Sequence, residues 1–180
     1  MKETLVINLI GGPCSGKSTV AAELFARLKK MGIKTELVSE YIKDRIYEEN
    51  KTMPNNQIAI FGMEHYNISN KLGKVEVIVH DGSFINNILY KKEDNQEFDN
   101  LIVSEYHKFN NLDFFIKRGN IEFEDYGRIH NYEQSLELDE KIKQLYNKSN
   151  AEFIEVESRD AVDKIIPIVL KKLNKWFVQD

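Results

Sequence analysis

Nine residues near the N-terminus, Gly11-Gly-Pro-Cys-Ser-Gly-Lys-Ser-Thr19, constrain this chain more than any other stretch of it. They follow an apolar run and open an amphipathic segment. The spacing GxxxxGK[ST] is met by Gly11, Gly16, Lys17 and Ser18, and each has a physical task in a loop that holds nucleotide phosphates. Glycines let backbone N–H groups turn inward without Cβ clashes, forming an anion nest at the positive end of the following helix. Gly12, Pro13, Cys14, Ser15, Gly16, Lys17, Ser18 and Thr19 would then surround the phosphates. Lys17 would reach the β- and γ-phosphates, and Ser18 would offer its hydroxyl to Mg²⁺.

A motif this short arises by chance, so its flanks decide between a phosphate site and an ordinary Gly-rich turn. Residues 4–10 read TLVINLI, the nearly continuous apolar run of a strand covered on both faces. Val20, Leu24, Leu28 and Met31 then recur at helical spacing, with Glu23, Arg27 and Lys30 opposite and Gly32 as a stop. The helix has about four turns. Strand, loop and helix fall where the motif requires them.

The 180 residues suit one domain, and no linker composition divides them. Charged residues make up 30% with a net charge of -4, and Lys and Arg are dispersed rather than blocked. Long nucleic acid is therefore not an expected partner. A single cysteine, Cys14, excludes an internal disulfide framework and suits a reduced, cytoplasmic setting. Within the phosphate loop, Cys14 reads as a small residue at a variable position, with a redox role as the sharper alternative. No apolar run reaches membrane-spanning length, and the four histidines form no metal-binding pairing.

Strand and helix signals alternate, which predicts an α/β domain on a parallel sheet. Further strands are expected at residues 34–39, 75–80, 112–117 and 152–156. Helices are expected at 41–49, 55–72, 84–91, 97–110, 136–147 and 161–177. Right-handed crossovers would bring the phosphate loop and all strand C-termini to one sheet edge, so residues there are the site candidates.

Asp81 ends the VEVIVH strand, where a carboxylate accepts a hydroxyl proton or holds a water on Mg²⁺. Capping the helix after it is the alternative. Glu40 ends the second strand and is placed to meet an acceptor's hydroxyl, surface solvation being the alternative. Tyr41, Arg45, Gln57, Phe61 and His65 follow as floor and walls of an acceptor pocket, with aromatic rings for stacking a base, or else as ordinary core and surface. Arg128, in Asp125-Tyr-Gly-Arg-Ile-His130, sits in a Gly-hinged segment that would bring positive charge over a closing site. Arg118 follows the fourth strand directly and suits adenine stacking or a phosphate contact.

On GGPCSGKST, SEYIKD, VIVHDGSF and YGRIHNYEQSLELD, the chain resembles small phosphate-loop kinases. It is most similar to the group that includes the nicotinamide riboside kinase domain of bacterial NAD-regulator proteins and small phage-encoded relatives. The resemblance spans most of the chain, and only the first motif is highly specific. It implies a P-loop NTPase fold with a five-stranded parallel sheet in the order 2-3-1-4-5. It also implies ATP and Mg²⁺ at the loop, Glu40 and Asp81 facing the acceptor, and Arg128 in a lid at 118–134; with the residues read above, Lys17, Asp81 and Arg128 form the expected catalytic set, and Ser18 and Asp81 the metal side. Helices at 41–72 would form the acceptor side. No motif in them specifies nicotinamide riboside, so a nucleoside, nucleotide or similar small hydroxyl acceptor is the expected substrate class. A kinase of nucleic-acid ends or modified bases, and a regulatory ATPase that signals nucleotide state to a protein partner, are the alternatives.

Overall fold

The first apolar run forms the innermost strand. In a computed structural model, which describes residues 3–42, 52–119 and 132–174, strand β1 spans Leu5–Ile10 with all six residues buried. Four more strands follow: β2 (Thr35–Val38), β3 (Val77–His80), β4 (Asn110–Lys117) and β5 (Ile154–Glu157). All pairings are parallel and the order is β2-β3-β1-β4-β5, as expected. Parallel neighbours need crossovers, and these are supplied by the helices.

The helices are α1 (Lys17–Lys30), α2 (Gln57–Ser69), the single turn α3 (Asn87–Tyr90), α4 (Gln96–Tyr106), α5 (Tyr132–Lys148) and α6 (Ala161–Lys172). Side chains alternate across a strand, so β1 divides its contacts between the two faces of the sheet. Leu5, Ile7 and Leu9 pack with Leu24 and Leu28 of α1 and Ile165 and Val169 of α6. Val6 packs with Phe61 and Ile68 of α2 and Ile102 of α4, and Ile10 with Ile142 and Tyr146 of α5. Burying one such side chain fully contributes roughly 1.5–3 kcal/mol. Among the described residues, no helix is long and apolar enough to cross a membrane.

Several boundaries differ from the expected ones for local reasons. The helix expected to run to residue 110 ends at Tyr106, and Asn110 begins β4. Asn111 takes the loose end, its Nδ2 donating to the carbonyls of Tyr106 (2.6 Å) and Phe109 (3.4 Å). The helix expected from residue 55 starts at Gln57 after a 3₁₀ turn over Met53–Asn55, because Asn56 caps it by accepting from the Ala59 N–H (3.1 Å). The helix expected over 84–91 begins as a 3₁₀ turn, Phe84–Asn86, before α3. Most of the helix expected over 41–49 lies outside the described residues.

Candidate active site

The phosphate loop joins β1 to α1 directly. Gly16 occupies the N-cap of α1 with φ 91°, a left-handed conformation that glycine takes without the usual Cβ penalty. No side chain caps this helix and no acidic residue lies in its first turn, so its positive end faces the loop uncompensated. Lys17 Nζ donates to the Gly12 carbonyl at 2.9 Å and so lies folded over the loop. Ser18 and Thr19 are exposed, whereas Ser15 is fully buried. Cys14 has φ 60°, uncommon for a side chain with a Cβ and of a kind that clusters at ligand-holding loops.

Next to this loop, β3 delivers Asp81. Its N–H donates to the Val38 carbonyl (2.9 Å), extending the β2–β3 ladder by one residue and fixing where the carboxylate starts. Asp81 is 5% exposed, and its Oδ1 has no hydrogen-bond partner among the described residues. A buried acceptor left in that state costs about 1–3 kcal/mol, so a water, an ion or a ligand atom is expected to meet it. The capping alternative is not what the structure shows. Ser83, not Asp81, is the N-cap of the following turn, and no side chain caps it.

Magnesium keeps most of its ligands as water and phosphate oxygens and asks only one or two groups of the protein. The unpartnered Asp81 oxygen and the exposed Ser18 hydroxyl fit that demand. Among the described residues, no group of three or more His, Cys, Asp or Glu gathers into a dedicated cage.

Beneath Asp81 runs a buried polar network that sequence reasoning missed. Asn8, the one polar residue inside β1, donates from Nδ2 to Asp113 Oδ1 (2.8 Å) and Asn111 Oδ1 (3.0 Å). Its Oδ1 is then the acceptor facing His80 Nδ1 at 3.0 Å, which assigns the His80 proton to Nδ1. Burial holds His80 down at about 4, so it is neutral at pH 7. Asp113 is pushed up to about 6 by burial, while hydrogen bonds from Asn8, Tyr146 and Tyr106 pull the other way. Tyr146 Oη lies 2.7 Å from Asp113 Oδ2 and 2.7 Å from Ser83 Oγ, so the network ends on the loop that carries Asp81. The available signal was a polar residue interrupting an apolar strand, at Asn8 and again at Asp113.

The buried face of α2 carries Gln57, Ile60, Phe61, Glu64 and Ile68. Glu64, also missed, is 7% exposed and accepts from Asn87 Nδ2 at 2.8 Å. Burial pushes its carboxyl up to about 8, against the Asn87 hydrogen bond, and the charge of Glu40 adds to the rise. The Tyr90 hydroxyl is raised by burial and then by the charges of Glu40 and Asp139, although the residue as a whole is 37% exposed. Glu40, half-buried, thus shares one neighbourhood with Glu64 and Tyr90, and Tyr41 beside it is half-buried too.

Two pocket-lining expectations are corrected. Phe61 is 7% exposed, with its ring among those of Phe84 (5.7 Å), His65 (5.8 Å) and Phe98 (5.9 Å), so it belongs to the core and offers no stacking face. Gln57 turns its amide to the Pro54 carbonyl (3.0 Å) and holds the turn before α2. Arg118 is turned to the phosphate loop itself: Nη2 and Nε donate to the Pro13 carbonyl (3.0 and 3.3 Å), and the guanidinium pairs with Asp139. Arg45, Arg128 and His130 lie outside the described residues, as does 120–131 of the expected lid.

The Glu64 environment makes a prediction about stability. Its carboxyl ordinarily titrates at 4.5 and in the fold at about 8, so between those values the folded chain holds a proton that the unfolded chain has released. Stability is therefore lost as pH rises through that window, at about 1.4 kcal/mol per pH unit. Glu64→Gln keeps the Asn87 hydrogen bond and does not titrate. Urea unfolding should show the variant more stable than the parent by a margin that grows from pH 5 to pH 8. An equal margin at both would refute the assignment.

A loop of this geometry on the central strand of a 2-3-1-4-5 parallel sheet defines a phosphate-loop nucleotide-binding protein of kinase-like fold. The chain belongs to the AAA domain family, whose family model matches residues 6–164. It is similar in structure to the deoxyadenosine kinase from M. mycoides, solved with products dCMP and a flexible dCDP bound. That match has 18% identity and a TM-score of 0.54, covering 95% of this chain and 99% of that one. No curated protein matches the chain.

Proposed function

We propose that the protein is an ATP- and Mg²⁺-dependent phosphotransferase whose acceptor is a nucleoside, nucleotide or similarly small hydroxyl compound. The observation that carries this reading is the buried, unpartnered Asp81 oxygen, set at the end of the strand next to the phosphate loop's own strand. A phosphate-loop ATPase also keeps a carboxylate for its metal, so the transfer reading draws in addition on Glu40, a second acid that is half-buried in the neighbourhood of Glu64 and Tyr90. The kinase resemblance of the motifs and the fold of the deoxyadenosine kinase support the same class.

When bound, Mg²⁺ supplies charge neutralisation on the phosphates. The chain's own residues do the rest. Backbone N–H groups at the start of α1 hold the phosphate oxygens, and Lys17 leaves the Gly12 carbonyl to meet the β- and γ-phosphates. The acceptor oxygen forms its bond to the γ-phosphorus as the bond to the β–γ bridging oxygen breaks, and that electron pair leaves on ADP. The hydroxyl proton goes to a carboxylate. Asp81 either takes it or holds a metal-bound water, and Glu40 orients the acceptor. Arg128 is assigned the closing positive charge, and Tyr41 and Arg45 complete the acceptor wall.

The test is a panel of nucleosides and nucleotides, nicotinamide riboside and deoxyadenosine included, incubated with γ-labelled ATP. Transfer of label to at least one organic acceptor is expected. Release of label only as inorganic phosphate, across the whole panel, would overturn the kinase reading in favour of an ATPase switch.

A further inference from the structure

One face of α5 reaches both loops of the candidate site. Ser135, Asp139 and Tyr146 recur on it at helical spacing. Toward the phosphate loop, Asp139 Oδ1 accepts from the Gly12 N–H at 2.6 Å and its Oδ2 pairs with Arg118. Ser135 Oγ donates to the Pro13 carbonyl at 2.6 Å, and the Ser135 carbonyl accepts from Arg118 Nη2 at 3.1 Å. About two turns further along the helix, Tyr146 meets Ser83 and Asp113 beneath Asp81.

Gly12 supplies an independent sign of the same contact. The phosphate-loop motif leaves this position open, and its φ lies outside the left-handed region. Yet a Cβ there would lie 2.6 Å from Arg118 Nη2, 2.6 Å from the Ser135 carbonyl and 2.9 Å from Asp139 Oδ1. Glycine is needed at 12 because α5 and Arg118 close on the loop from behind.

We propose that Asp139 is a positioning residue for the phosphate loop, and that α5 holds this loop and the Asp81–Ser83 loop in one register through Ser135, Asp139 and Tyr146. The donor half requires only that the protein bind nucleotide, while the Tyr146 half rests on the phosphotransferase reading. Electrostatics and positioning predict opposite signs here. Asp139→Asn removes a negative charge, and its single amide oxygen cannot accept from both the Gly12 N–H and Arg118, so charge alone would tighten ATP binding, whereas loss of positioning weakens it.

The experiment measures ATP affinity by calorimetry for the parent, Gly12→Ala, Asp139→Asn, their double variant and the milder Ser135→Ala, with thermal melts alongside. About tenfold weaker binding is expected for Gly12→Ala and for Asp139→Asn, with the double no weaker than the worse single, since both open one contact. Ser135→Ala should weaken binding in the same direction by less. Unchanged or tighter binding in Asp139→Asn overturns the proposal, as do single effects that multiply in the double. If Gly12→Ala does not fold, Asp139→Asn and Ser135→Ala decide alone. Tyr146→Phe should leave ATP affinity unmoved and lower kcat about tenfold; an unchanged kcat overturns the acceptor half. Should the parent bind ATP but phosphorylate no acceptor, the kinase reading falls and the affinity series still tests Asp139.

Discussion

Lys17→Ala is expected to reduce ATP turnover by about 10³-fold or more while leaving a folded protein. A unit charge about 4 Å from a phosphate charge is worth about 4 kcal/mol at an effective dielectric of 20, and that converts to roughly three decades in rate. The structure lets the folding side be bounded separately. Among the described residues the ammonium makes one hydrogen bond, to the Gly12 carbonyl, and Lys17 is only half-buried. Losing such a bond costs about 1 kcal/mol, or a few degrees in Tm for a chain of this size. Initial rates of ADP formation, with a melt as control, check both numbers. Near-normal turnover would remove the phosphate-loop assignment, because no other ammonium in the motif can replace Lys17.

The parts of the fold legible in the sequence are those whose causes are local. TLVINLI is apolar throughout because β1 is covered on both faces, and the glycine at 16 is demanded by the loop's own backbone. The missed residues owe their roles to partners far along the chain. Asn8 acts through His80, Asn111 and Asp113, and Glu64 through Asn87. An isolated polar residue in an apolar strand or helix face announces that a partner exists, but not which one. Phe61 shows the converse error. Its position after the second strand suited a stacking ring, and only the packing of α2 against Phe84 and Phe98 reveals that it is buried in the core. Gly12 sits inside the most legible motif of all, yet its reason lies more than a hundred residues away on α5. Helix ends are set by single side chains, Asn56 at the first turn of α2 and Asn111 at the last turn of α4, whose amides take up backbone groups there.

Asp81→Asn separates binding from chemistry at the end of β3. The change keeps shape and removes one negative charge from a position that is 5% exposed, at an oxygen with no partner among the described residues. Among the described residues nothing bonds to that oxygen, so the melt should hold. ATP binding should persist or tighten, since a carboxylate near the phosphates opposes them. Transfer should nevertheless fall by about 10²–10⁴-fold, the usual contribution of a positioned acid–base group. Single-turnover rates against calorimetric affinity measure the two independently. Magnesium titration then assigns the role: a shifted half-saturating concentration in the variant marks Asp81 as holding a metal-bound water, and an unshifted one marks it as the group that takes the acceptor's proton. Loss of ATP binding together with a lowered Tm would make Asp81 structural and would leave Glu40 as the carboxylate to which the proton must go.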